Sequence, residues 1–390
     1  MARTKIYTPN QNPSTTAFGE LSTAQPTPRV LLHFPYNLNT DVISTTTTGS
    51  GSVTHSGQFA VIGSGAATSS SGTLESLRLL EYNPGTGGLA RFTSVFDAPV
   101  AGNTQISGIG NATDGFFFGY NGTSFGILYR SNSSDTWIPQ ETWNGNRMLG
   151  NESFVQTLDT SKGNVFQIRY QWLGFGAITF SIENSVSGAI EIVHTIRYAN
   201  LNTTVSVNNP SFPFLCKSTN TTNNTNIEIK VPSVGLYIEG QDSSAGETRN
   251  CVSNTKTGVT TELNVLTIRN KTTYQSLNNT VVIQPDFLTM SVDGTKNVIL
   301  KVYLNATLGG TPSYNDVRVN NSVIDFDVAG TTVSSGILLA AFALDKAGSL
   351  SQPLREFQFF LYPGNTMTIT AISSSSTDAT VAISWAERFK

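Results

Sequence analysis

The chain has 390 residues, only 13% of them charged, and a formal net charge of −3. That balance argues against a nucleic-acid binder, whose surface carries clustered Lys and Arg. A hydrophobic share of 38% with 22 Phe excludes intrinsic disorder, and the excess of Thr, Ser and Asn is wrong for a helical bundle.

From the N-terminus, Met1-Ala2-Arg3-Thr4-Lys5 runs into polar residues and Pro with no apolar stretch behind it, so no signal peptide of the usual form is expected. Residues 1–54 read as an arm with a low-complexity entry, ending in Thr45-Thr46-Thr47-Thr48-Gly49-Ser50-Gly51. From there, alternation with period two recurs, which places successive side chains on opposite faces of a strand. It is clear in Phe166, Ile168, Tyr170, in Ile178, Phe180, Ile182, in Ile227-Glu228-Ile229-Lys230-Val231 and in Val298, Leu300, Val302, Leu304. It returns in Phe357, Phe359, Leu361 and in Val381, Ile383, Trp385.

Turn residues punctuate these runs. Asn121-Gly122 between Phe116–Tyr120 and Phe125–Tyr129 predicts a hairpin with a type I′ turn. Asp293-Gly294 reads likewise, and Asn83–Gly88 separates two further strands. The fold class that follows is all-β, with tandem antiparallel β-sandwich or jelly-roll domains and a flexible N-terminal arm. Residues 55–242 are assigned to a first sandwich, 243–261 to a linker and 262–390 to a second sandwich. The longest apolar run, Ile337–Leu344, is far short of the roughly 20 residues that span a bilayer.

Candidate chemistry is sparse. Gly122-Thr123-Ser124-Phe125-Gly126 has nucleophile-elbow spacing but falls in the predicted hairpin, where the required strand-to-helix corner is missing. Of the three histidines, His33, His55 and His194, the last shares a predicted face with Ile190, Ile192 and Ile196 and reads as a core or edge residue. No His/Cys cluster has metal-ligand spacing; Asp325 and Asp327 share a strand face and could reach a Ca²⁺, though a solvated face is the expectation. Cys216 and Cys251 are expected to be unpaired thiols; a bridge would close a loop of roughly 35 residues. Glu183 and Glu191 flank a turn at Asn184–Gly188 and offer a carboxylate pair to a polysaccharide-cleaving enzyme. Tyr120, Trp137, Trp143 and Trp172, in or beside loops, are the candidates to stack on sugars. No nucleotide or other cofactor motif is present.

Two regions resemble virion structural proteins of tailed phages and large DNA viruses, of the capsid-associated, spike or fibre type. The first is Phe92–Phe96, Ile109-Gly110-Asn111-Ala112-Thr113-Asp114-Gly115-Phe116-Phe117-Phe118-Gly119-Tyr120-Asn121-Gly122, Leu173-Gly174-Phe175-Gly176 and His194–Asn200; the second is Leu361–Ile369 with Val381–Phe389. The resemblance implies a non-enzymatic particle component, assembled in an infected cell and displayed on the virion. It also implies a homo-oligomer that contacts other capsid or virion proteins and a host-surface glycan; from the residues themselves no nucleic acid, membrane span, metal or cofactor is expected. The alternative readings are a polysaccharide depolymerase and a free glycan-binding lectin.

Overall fold

In the computed structural model the described residues are 24–150, 156–241, 247–294 and 296–389. Helix among them is confined to two single 3₁₀ turns, Gln140–Thr142 and Arg355–Phe357, and no helix is long and apolar enough to cross a membrane. The chain divides into two units, 1–243 and 244–390.

The first unit contains sixteen described strands: β1 (Pro26–His33), β2 (Ile43–Thr48), β3 (Ser52–Ser56), β4 (Phe59–Gly63), β5 (Ser71–Ser76), β6 (Gly87–Phe96), β7 (Asn103–Gly110), β8 (Gly115–Asn121), β9 (Ser124–Ser131), β10 (Ser134–Pro139), β11 (Asn164–Tyr170), β12 (Ile178–Glu183), β13 (Ile190–Ile196), β14 (Phe214–Asn220), β15 (Glu228–Val231) and β16 (Ser233–Glu239). Seven form one antiparallel sheet in the order β10-β9-β8-β7-β14-β5-β2. Nine form the other, running β13-β12-β11-β6 and forking at β6. Gly87–Phe92 pairs with β16, which carries β1, while Val95 and Phe96 pair with β15, which leads to β4 and β3.

The inward alternation of both sheets builds one aromatic core. Phe118 on β8 lies 4.8 Å from Phe166 on β11 and 5.4 Å from Phe180 on β12. Such ring pairs add about 0.5–1.5 kcal/mol each beyond the area they bury. Two expectations change here. The arm assigned to 1–54 contributes β1, β2 and the first three residues of β3 to the sandwich, because Val30, Leu32 and Ile43 anchor otherwise polar strands in the core; residues 1–23 lie outside the described set. The hairpin turn is Gly122-Thr123, with Asn121 paired to Ser124 and positive φ on Gly122 alone, which is the type II′ pattern.

In the second unit Glu247–Val259, Thr377–Arg388, Val282–Asp293 and Ser349–Pro353 form a four-stranded sheet in that order. Asn315–Asp316, Ile324–Asp327, Leu263–Asn270, Thr366–Ser373, Val298–Leu304 and Ile337–Leu344 form a six-stranded one. Both sheets are antiparallel, and their shared core includes Trp385, Ile268, Leu300 and Ile369, all fully buried. The segment assigned to a linker, 243–261, is mostly the thirteen-residue strand Glu247–Val259. Its inward positions include Asn250 and Asn254, whose side-chain amides donate hydrogen bonds to Glu387 Oε1 and the Val265 carbonyl, so it lacks an apolar stripe. Asp293-Gly294 joins strands of different sheets, so it is a crossover and not a hairpin. Phe357, Phe359 and Leu361 form no strand: a 3₁₀ turn ends on Gln358 at φ 52°, between Pro353 and Pro363.

Candidate functional site

The four aromatic candidates separate by position. Tyr120 and Trp143 belong to the core, 8% and 3% exposed. Tyr120 packs 5.0 Å from Phe125 and shares a hydrogen bond with Thr160 Oγ1; Trp143 lies 6.2 Å from Phe118 and donates its indole N–H to the Ile138 carbonyl. Their ring faces are closed to a ligand, which corrects the expectation, and the reason is that both pack into the aromatic core between the sheets. Trp172 is half-buried, edge-on to Tyr82 at 5.2 Å, with its N–H on the Val207 carbonyl. Trp137 stands elsewhere, on the outer face of the seven-stranded sheet, against the edge of a buried cluster made of Ile106, Phe117, Leu128 and Leu215.

That outer face can be built residue by residue from the pairing. Opposed residues of antiparallel strands share a face. One row crosses the sheet as Trp137, Leu128, Phe117, Gly108, Leu215, Glu75 and Ser44. The adjacent row is Pro139, Gly126, Gly119, Ile106, Lys217, Thr73 and Thr46. On the other side lie Asp135, Arg130, Gly115 and Gly110. Strands stand about 4.8 Å apart, so each full row spans roughly 29 Å.

The middle of the face depends on two glycines. Phe117 points outward yet is fully buried, because its ring lies down over Gly110 and Gly115. A Cβ at Gly115 would sit 2.6 Å from Phe117 Cε2, and one at Gly110 2.5 Å from Cζ. Arg130 lies above the ring, its guanidinium carbon 5.6 Å from the centroid. Asp135 holds that guanidinium through two hydrogen bonds of 2.7 and 3.0 Å, and the Asn111 carbonyl accepts a third.

Towards β5 the face turns polar. Lys217 and Glu75 are diagonal neighbours on β14 and β5, both half-buried, and among the described residues neither side chain makes a hydrogen bond or ion pair. Burial pushes the Glu75 carboxyl above the usual carboxylate range, and the Lys217 charge partly offsets this. Thr73, Ser44 and Thr46 complete this end with hydroxyls. Sequence reading missed Glu75, Lys217 and Phe117. The available signal was Gly115-Phe116-Phe117-Phe118-Gly119, whose alternation sends one Phe outward between two glycines, and a single cation within Phe214–Ser218.

The other candidates have structural partners. Glu183 faces Ile190 and Glu191 faces Ile182 across β12 and β13, so the two carboxylates point to opposite faces. Glu191 accepts amide hydrogen bonds from Asn146 and Asn184, one on each oxygen. The pair expected for polysaccharide cleavage is therefore not assembled. Ser124 opens β9 in a strand-to-strand turn. His194 points inward, opposite Phe180, while Ile190 and Ile192 are exposed; a register shift between Phe180 and Ser181 separates it from the face predicted for it. Burial lowers its pKa, and Nδ1 accepts the Asn144 N–H.

Asp325 is bound by Arg269, and Asp327 accepts from Asn264, Gly330 and Ser313, so their oxygens serve the fold. Among the described residues no group of three or more His, Cys, Asp or Glu could hold a metal ion. Both cysteines are free thiols; burial pushes that of Cys216 up.

No protein-family model matches the chain, and no curated protein does. Among solved structures it is similar to apo Crh5 transglycosylase, at 16% identity and a TM-score of 0.36, over 57% of this chain and 90% of that one. A beta-1,3-glucanase from Mycobacterium marinum has 15% identity and a TM-score of 0.35, over 52% and 94%. The carbohydrate recognition domain of Emp46p, in its metal-free form, has 12% identity and a TM-score of 0.31, over 51% and 89%. No residue role is transferred from them. They do correct the expectation of a non-enzymatic chain: a transglycosylase and a glucanase are among the structures that resemble it. None of these three is a virion protein.

Proposed function

We propose that the first unit binds a carbohydrate chain along the outer face of its seven-stranded sheet. The observation that supports this is the order of side chains in the two registered rows. A half-buried tryptophan, seated over a buried aliphatic–aromatic cluster, occupies one end, and towards the other lie an ammonium and a carboxyl without hydrogen bonds among the described residues and three hydroxyls. A sugar ring presents the same two chemistries, C–H faces that pack on aromatic surface and hydroxyls that need donors and acceptors. A length of roughly 29 Å suits an extended polymer better than a single sugar.

Cleavage of such a chain would need a second carboxyl about 5–10 Å from Glu75. On this face Asp135 is five strands away, roughly 24 Å, and is bound to Arg130.

The test is affinity electrophoresis of the full chain through gels containing neutral and acidic polysaccharides. At least one polymer is expected to retard the chain, with the apparent Kd about tenfold weaker in Trp137→Ala, the equivalent of about 1.4 kcal/mol. Retardation unchanged by Trp137→Ala would remove the face from the account.

A further inference from the structure

The glycan reading leaves the chemistry of its ligand open, and the charges on the face narrow it. Resting on that reading, we infer that the ligand is an anionic polysaccharide whose sugar carboxylate is received by Lys217. Lys217 occupies the fifth of seven positions in its row, between Ile106 and Thr73, where a chain lying across the strands passes over it. Its ammonium group has no hydrogen bond or ion pair among the described residues, and the residue as a whole is half-buried. An ammonium that has no hydrogen-bonded anion can receive an incoming carboxylate through a charge-assisted hydrogen bond.

The remaining charges on the face do not compete for the same anion. Arg130 is neutralised by Asp135, which accepts from its Nε and one terminal nitrogen, at 2.7 and 3.0 Å. Glu75 is the acid nearest Lys217 in the pairing, one strand over and diagonal to it. Desolvation raises its pKa, so its charge is held less firmly than that of an exposed glutamate, and in its ionised form it opposes an acidic ligand beside Lys217. Thr73, directly opposite Lys217, adds a hydroxyl on the same face.

The experiment compares matched ligands. Oligomers of polygalacturonate and of alginate, each with its fully methyl-esterified form, are titrated calorimetrically into the full chain, together with a neutral glucan. At least one acid form is expected to bind about tenfold more tightly than its own ester. Lys217→Met, which keeps the aliphatic stem, should abolish that ratio by weakening the acid form about tenfold. Glu75→Gln should strengthen binding of the acid form by a few fold.

Esters that bind as well as the acids, a ratio that survives Lys217→Met, or binding of the glucan alone would each overturn the inference while leaving the glycan face standing. Failure of every polysaccharide to bind would overturn both. Thermal unfolding, expected to match the parent for Lys217→Met and to lie slightly higher for Glu75→Gln, separates a binding loss from misfolding.

Discussion

The second unit and the β14–β5 end of the seven-stranded sheet use their charged groups in opposite ways. In the second unit they answer one another: Glu247 and Asp286 are clamped by Arg249 and Arg355, Arg269 by Asp325, Lys301 by Glu262 and Lys271 by Asp316. The buried Glu387 carboxylate accepts from Asn250, Ser322, the Val323 N–H and the Trp385 indole. On the outer face of the seven-stranded sheet, Lys217 and Glu75 share a surface with no such partners among the described residues. Charges inside a closed network hold a fold; charges held half-buried and open are free to act on something that arrives.

The difference can be broken at its stronger end first. Glu387→Ala leaves four donors without an acceptor in the core of the second unit and is expected to cost about 3–5 kcal/mol, read as a fall in the urea midpoint. A shift within about 0.5 kcal/mol, the ordinary range for surface substitutions, would mean that the network does not hold the unit. Next comes the floor of the ligand face. Gly115→Ala drives a Cβ into Phe117 and the Gly110 backbone and should cost about 1–3 kcal/mol, whereas Gly163→Ala, with nothing within 4 Å, should be close to neutral. Equal midpoints for the two variants would show that the ring is not seated as described.

The smallest effect sharpens the comparison through pH. Glu75 has a folded-state pKa above its unfolded value, so the native chain holds that proton more tightly and the stability linked to it is present at acid pH and lost as pH rises. Glu75→Gln removes the dependence. The variant should therefore melt slightly higher than the parent at neutral pH, with the gain fading as pH falls below the ordinary glutamate value of 4.5. A Tm difference independent of pH would contradict the desolvation of this carboxyl.

Much of the fold was legible because alternation is a local signal. Phe166–Tyr170, Ile178–Ile182 and Val298–Leu304 all lie within strands, since each sends apolar side chains one way and polar ones the other. Glu247–Val259 was missed because its inward positions include asparagines, whose burial depends on partners elsewhere in the chain. The face was harder to read for the same reason. Trp137, Lys217 and Glu75 lie on β10, β14 and β5, and only the strand order brings them into two rows. Tyr120 and Trp143 misled because an aromatic ring near a turn looks the same in sequence whether it stacks on a sugar or on Phe125.

The central claim is that the outer face of the seven-stranded sheet is the ligand face, and hydroxyl-radical footprinting of the full chain with and without a retained polysaccharide tests it most directly. The account predicts protection of Trp137 and of the segments bearing Lys217 and Glu75, with no change across residues 247–389. Protection confined to the second unit, or to Trp172 and its loop, would contradict it.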